Sequence, residues 1–158
     1  MENFTNLPKK VQNPLVKWAK LAFVVAEKSR CLRPESRVGA VAVKDGNVLS
    51  EGFNGAVCST YHCGERNYCV RQKNNVPSGT QREIAYCICA EQRMICSAAH
   101  KGISLYGATA YLTHKPCAYC VRLMIECGFE KAYYSIEYVQ PFADEVSKEF
   151  GFELIKID

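Results

Sequence analysis

No window of this 158-residue chain runs beyond 13 residues without Asp, Glu, Lys or Arg, Gly102 to His114 being one example. A membrane-spanning helix needs about 20 apolar residues, so no such helix and no membrane partner is expected. A strong charge of either sign is also missing, with 20 Lys plus Arg against 16 Asp plus Glu. Nucleic acid is therefore not an expected partner, because there is no concentrated basic stripe, whereas the mild +4 excess suits a small anionic substrate. The chain shows no internal repeat, no low-complexity tract and no linker-like run dividing it into halves. Its start, Met1-Glu2-Asn3-Phe4-Thr5-Asn6, has neither the basic nor the apolar region of a secretory leader, which predicts a cytoplasmic location.

Cysteine, by contrast, is abundant, at ten residues. In a reducing compartment these are not expected to form disulfides, so the weight shifts to metal ligation or catalysis. A chain of this length buries roughly 70% of its unfolded surface as one domain, and residues 1–158 read as a single domain.

Apolar residues at Leu15, Trp18, Ala19, Ala22, Phe23 and Ala26 recur at helical spacing and predict a first helix over Val11 to Arg30. Arg37 to Lys44 and Val48 to Gly52 are β-rich and joined by a tight turn at Asp45-Gly46 or Gly46-Asn47, an antiparallel hairpin. Periodicity then disappears from Phe53 to Tyr86, where Gly, Asn, Ser, Pro and Cys accumulate. A structureless stretch of that length needs a function or a staple, and residues 53–88 read as a cysteine-bearing insertion. Beyond it the pattern alternates: helix Ala90 to His100, strand Ala108 to Thr113, helix Cys117 to Cys127, strand Lys131 to Ile136, helix Tyr138 to Phe150 and strand Phe152 to Ile157. Such alternation predicts a largely parallel sheet between helices. The expected class is α/β, with a central five-stranded mixed sheet.

Two short patterns carry chemistry: Cys89-Ala90-Glu91 and Pro116-Cys117-Ala118-Tyr119-Cys120, each opening a predicted helix after an extended segment. Helix starts gather at one edge of an α/β sheet, so thiolates from both can meet around one cation. Three protein ligands leave a zinc ion one position for water, the arrangement of catalytic rather than structural zinc. Glu91 stands where a carboxylate could shuttle a proton from that water. Either pattern alone is compatible with a zinc knuckle, a redox pair or chance; a purely structural site has no use for the carboxylate.

Together these motifs resemble the zinc-dependent cytidine and deoxycytidylate deaminase superfamily. The resemblance covers nearly the whole chain, through Cys31, Arg37-Val-Gly-Ala-Val-Ala-Val-Lys-Asp-Gly46, Glu51-Gly-Phe-Asn-Gly55, Ala90-Glu91-Gln92, Gly102 to Ala108 and Thr113 to Gly128. The Gly52-Phe53-Asn54-Gly55 segment and the cysteine-bearing insertion make it most like the dCMP deaminase branch. That branch usually has His-Ala-Glu where this chain has Cys89-Ala90-Glu91, the form usual in nucleoside deaminases. A third thiolate makes the site more negative and weakens zinc as a Lewis acid unless nearby donors or cations compensate.

The resemblance implies a three-layer α/β/α cytidine-deaminase-like fold and hydrolytic deamination of dCMP to dUMP. Cys89, Cys117 and Cys120 would hold the catalytic zinc, with Glu91 as the catalytic proton shuttle. Asn54, the amide of Ala90 and the backbone from Thr113 to Pro116 would bind substrate. It also implies a second, structural zinc on Cys31, Cys63 and Cys87, with Cys69 as the fourth ligand and His62 as the alternative. A homo-oligomer and dCTP or dTTP effectors belong to the same implication. Arg37, Lys115, Arg93 and Tyr138 are candidates for a phosphate, although each also reads as a solvated charge or a packing aromatic. Cys96 and Cys127 fall on apolar helical faces and read as small core residues, His100 reads as surface, and Cys58 has no assignment. The competing readings are deamination of a free nucleoside, base or related heterocycle, and a non-catalytic zinc-stabilised nucleotide sensor, which would have no need of Glu91.

Overall fold

The computed structural model describes residues 9–57, 67–77 and 79–157, with only the backbone for 9–13. Helix α1 (Lys9–Ala26) leads to strands β1 (Gly39–Lys44) and β2 (Asn47–Phe53), and a short pair follows, β3 (Gly55–Ala56) and β4 (Cys87–Ile88). Then come α2 (Ala90–His100), β5 (Thr109–His114), α3 (Ala118–Glu126), β6 (Lys131–Ile136), α4 (Ala143–Glu149) and β7 (Glu153–Lys156). The main sheet has five strands in the order β2-β1-β5-β6-β7. Strand β1 runs antiparallel to both β2 and β5, while β5, β6 and β7 are mutually parallel. The expected mixed sheet, its opening hairpin and its parallel half are all present.

Strand alternation sorts side chains by size onto the two faces. Ala40, Ala42, Ala110, Leu112 and Ala132 meet Ala90, Met94, Val121, Met124 and Ala143 of α2, α3 and α4. On the other face Val41, Val43, Tyr111 and the partly buried Tyr133 pack against Leu15, Trp18, Ala22 and Val25 of α1. Small residues on one face let three helices approach closely; larger ones on the other fill the space beneath a single helix. The buried stripe of α1 is Leu15, Trp18, Ala22 and Val25, so Phe23, expected inside, is 41% exposed.

Helix α2 sits on β2 without side chains between them at one point. A Cβ on Gly52 would lie 2.2 Å from the Ala90 carbonyl oxygen and 2.3 Å from the Met94 nitrogen. Around that contact Ser50 Oγ donates to the Met94 carbonyl at 2.7 Å. Arg93 donates to the carbonyls of Phe53 (2.7 Å), Gly55 (3.1 Å) and Ala56 (2.7 Å). Its guanidinium also lies over the Phe53 ring. Arg93 is therefore a clamp between helix and strand rather than a free cation for phosphate.

Three sequence expectations are corrected. The stretch 53–88 is not structureless where it is described: β3 and β4 pair at its base, with helical turns at Val70–Lys73 and Arg82–Ile84. The helix expected from Tyr138 begins only at Ala143, because Pro141 disfavours helical geometry in the residue before it and Phe142 takes a left-handed backbone, φ 66°. Cys96 is exposed; Cys127 is half-buried against the main core. His100 lies on the surface as expected. Cys58, His62 and Cys63 fall outside the described residues. Among the described residues no helix is long and apolar enough to cross a membrane.

Gly52→Ala is expected to cost about 2 kcal/mol or more, since neither neighbour is a flexible side-chain tip that can move aside. A lower denaturation midpoint and faster amide exchange at the start of α2 will register it; a variant as stable as the parent would mean that α2 does not rest on β2 in this way.

Candidate active site

The two chemical motifs are delivered by the same device, a strand that ends just before a helix begins. Strand β4 ends at Ile88 and Cys89 caps α2; β5 ends at His114 and Cys117 caps α3. The backbone amide of Cys89 donates to Gln92 Oε1 at 2.8 Å, fixing the first turn of α2. Cys120 follows one turn into α3, so it points back over the same helix start as Cys117.

The thiols of Cys89, Cys117 and Cys120 lie within 4.8 Å of one another, the only group of three or more metal-type donors this close among the described residues. Their proton affinities are split by mutual contact. Hydrogen bonds from Cys120 and then Cys89 hold the Cys117 thiol well below its ordinary range, while Cys89 and Cys120 are pushed above theirs. Three thiols this close cannot all shed protons against one another without a cation, and zinc would remove that conflict. The donor set thus fits zinc, which Cys89, Cys117 and Cys120 would hold. Glu91, 4% exposed, lies beside them. Burial, followed by the Cys117 thiolate, pushes its carboxyl up to about 7.

Cys89, Cys117 and Glu91 form one wall of a cavity of about 850 Å³. Asn54 and Ala90, nominated from the resemblance as substrate contacts, also line it, and so does Tyr138. The Asn54 amide is largely committed, however, accepting from the Val38 N–H and donating to the Ser36 carbonyl, both at 2.8 Å. It staples the segment before β1 to the end of β2, and only its second hydrogen and lone pair are left for a ligand. Thr113 is fully buried and does not line the cavity; its Oγ1 accepts from the Gly39 N–H at 3.1 Å. The next residue, His114, takes that place, its ring Nδ1 2.9 Å from Thr113 Oγ1.

The cations nominated from sequence turn out to be engaged within the fold. Lys115 bridges Glu137 (2.9 Å) and Asp144 (2.8 Å). Burial works against its ammonium, but the two carboxylates outweigh it and raise its pKa. Arg37 donates to the Cys31 carbonyl at 3.3 Å and does not border the cavity. The cavity-lining cations that sequence reading passed over are Arg30, Arg33, Arg71 and Arg82. Of these, Arg30 and Arg33 have no side-chain hydrogen bond or ion pair among the described residues, while Arg82 Nη1 donates to Cys89 Sγ at 3.3 Å. Cys31, Cys69 and Cys87, expected to hold a second zinc, border the same cavity, but their thiols are not gathered as the other three are.

Residues 13–136 match the family described as the cytidine and deoxycytidylate deaminase zinc-binding region. The chain is 36% identical over 123 residues to the deoxycytidylate deaminase of Mycobacterium phage D29, covering 74% of this chain and 90% of that protein. It is 28% identical over 136 residues to ComE operon protein 2 of Bacillus subtilis, covering 85% of this chain and 66% of that protein. Among solved structures, the dCMP deaminase of cyanophage S-TIM5 in complex with dCMP and dUMP superposes with a TM-score of 0.75 at 24% identity, covering 96% of this chain and all of that one. A family match across most of the chain, a shared fold and a three-thiol cluster with an adjoining buried carboxyl make one consistent assignment: this chain is a hydrolytic deaminase of the zinc-binding cytidine and deoxycytidylate deaminase family.

Proposed function

We propose that this enzyme deaminates dCMP to dUMP, taking up water and releasing ammonia. The observation that carries the proposal is one cavity in which buried Glu91 and the thiols of Cys89 and Cys117, with Cys120 gathered behind them, share walls with Arg30 and Arg33. The activity named for the phage D29 relative supports the same substrate. Zinc held by Cys89, Cys117 and Cys120 would supply a water acidic enough to be deprotonated near neutral pH. Glu91 would accept that proton as the oxygen attacks C4 of the ring and pass it to N3, then carry the remaining hydroxyl proton to the amine as the C4–N bond breaks and ammonia leaves. Its raised proton affinity suits a group that must both take and give a proton at neutral pH. The Ala90 amide, Asn54 and the end of β5 at His114 would orient the base, and Arg30 and Arg33 would meet the phosphate.

The proposal extends to the rest of the chain. Residues 1–158 act as a single deaminase domain, with the segment at about 53–88 as its insertion. A structural zinc on Cys31, Cys69 and Cys87 would take Cys63 as its remaining ligand and tie that insertion to the core; the common cavity wall of the first three supports it. Cytoplasmic location, a homo-oligomer and control by dCTP or dTTP complete the reading.

Glu91→Gln is expected to keep its zinc and its fold and to lose several orders of magnitude in kcat, because it removes the shuttle and spares every ligand. Cys117→Ser should lose metal instead. Near-normal turnover in Glu91→Gln would overturn the mechanism.

In an ammonia-release assay dCMP is expected to exceed deoxycytidine in kcat/KM. The Arg30→Ala, Arg33→Ala double variant should raise KM for dCMP at least about tenfold and leave deoxycytidine unaffected. If removing the phosphate leaves kcat/KM unchanged, the nucleoside reading suggested by Cys89 replaces this one.

Metal analysis is expected to give two zinc ions per chain, falling to one in Cys63→Ser. One zinc in the parent protein would eliminate the structural site.

A further inference from the structure

Between the end of β6 at Ile136 and the start of α4 at Ala143, the chain borders the cavity through Tyr138 and Gln140. Among the described residues no backbone N–H from Glu137 to Phe142 donates to a backbone carbonyl, so neither sheet nor helix fixes this segment. Side chains hold it instead. Lys115 Nζ donates to Glu137 Oε1 at 2.9 Å and to Asp144 Oδ2 at 2.8 Å, and the Lys115 N–H donates to the Ile136 carbonyl at 2.9 Å. Glu137 begins the segment and Asp144 stands just past its end, inside α4. One ammonium therefore pins both ends.

The anchor is built into the sheet side of the fold. The Lys115 side chain is only 10% exposed and its ammonium lies 5.7 Å from the centre of the Tyr134 ring. The Tyr134 hydroxyl donates to Glu137 Oε2 at 3.0 Å, so both oxygens of that carboxylate are engaged. Glu137 and Asp144 themselves are largely exposed, and ion pairs of that kind add little to global stability. Their effect is local. What lies between the pinned ends meets the insertion: Gln140 Oε1 accepts from Arg82 Nη2 at 3.2 Å, and a Cβ on Gly79 would lie 3.9 Å from the Tyr138 hydroxyl oxygen.

We infer that Lys115 is a positioning residue for substrate binding: by pinning Glu137 and Asp144 it sets Tyr138 and Gln140 against the cavity, and it does not itself meet the phosphate. A cavity-lining ammonium can also pair with a phosphate directly. The two roles predict opposite effects when its carboxylates are removed. The inference rests on deamination of dCMP in this cavity, and a protease that reads the segment itself lets the two fail separately.

The experiment uses the full-length protein, each variant first matched to the parent in zinc content. The Glu137→Ala, Asp144→Ala double variant leaves Lys115 charged but unheld. It is expected to raise KM for dCMP about fivefold or more with kcat within about twofold of the parent, because contacts made equally to substrate and transition state govern KM alone. Lys115→Met should raise KM to a similar extent, and the triple variant should add less than about twofold to either, since all three substitutions break one anchor. Chymotrypsin is expected to cut after Tyr138 or Phe142 at least about fivefold faster in both variants, while the urea midpoint stays near that of the parent. A fall in KM for dCMP in the double variant would make Lys115 a phosphate ligand held back by its carboxylates and would overturn the inference. A parental KM with a lowered urea midpoint would assign the cluster a merely structural role and overturn it as well. If the parent does not deaminate dCMP while both variants open the segment to chymotrypsin, it is the dCMP reading that falls and the anchor stands; parental rates of cleavage would overturn the anchor whatever the substrate.

Discussion

The contact of α2 with β2 at Gly52 governs the rest of the structure. With no side chain between them, helix and strand are separated by backbone alone, and the start of α2 has one permitted height above the sheet. That height sets where Cys89 and Glu91 stand relative to Cys117 and Cys120, which arrive independently from β5 and α3. Ser50 and Arg93 hold the contact by donating to carbonyls of the helix and of the end of β2. The alanines of the same sheet face extend this close packing under α3 and α4. Geometry of a few tenths of an ångström at the thiols is therefore maintained by the smallest residues in the core.

A second constraint is electrostatic. One buried corner holds three thiols and a carboxyl, and the fold manages this crowd by dividing its cations between two tasks. Lys115, only two residues before Cys117, lines the cavity but is engaged by Glu137 and Asp144 and ties the end of β5 to α4. Arg82, remote in sequence from α3, is turned toward the sulfurs. Proximity along the chain and proximity in function are thus reversed for these two residues, because strand β5 leaves the sheet with Lys115 on the side facing α4.

This reversal also explains what could and could not be read from sequence. The sheet, its hairpin and the helix starts were legible because each follows from local periodicity and turn chemistry. Cys89, Glu91, Cys117 and Cys120 were legible because both motifs are short and sit at helix starts, where spacing nearly determines geometry. Arg82 was not, since it lies in a stretch without periodicity; the need for a cation could be argued, but not which residue would supply it. Arg93 reads in sequence as a candidate for phosphate because the carbonyls it holds lie 37 to 40 positions away. A polar side chain that satisfies distant backbone looks, in sequence, the same as one waiting for a ligand. Phe23 was misplaced for a simpler reason: two adjacent stripes on α1 are both apolar, and the sheet chose the one containing Val25.

The short β3–β4 ladder has a different kind of consequence. Gly55 pairs with Ile88 and Ala56 with Cys87, and the Val57 N–H donates to the Tyr86 carbonyl, so the chain leaves and re-enters the core through one narrow gate. Beyond that ladder, the described part of the segment is tied again where Arg82 meets Cys89 and Gln140. The entropy of closing such a segment grows only slowly with its length, so residues can be added or removed there without shifting Cys89 or the helix it caps. The reacting centre and the material that borders its mouth can consequently diversify at different rates, the first held by backbone contact and the second open to change in length and composition outside the turn that carries Arg82.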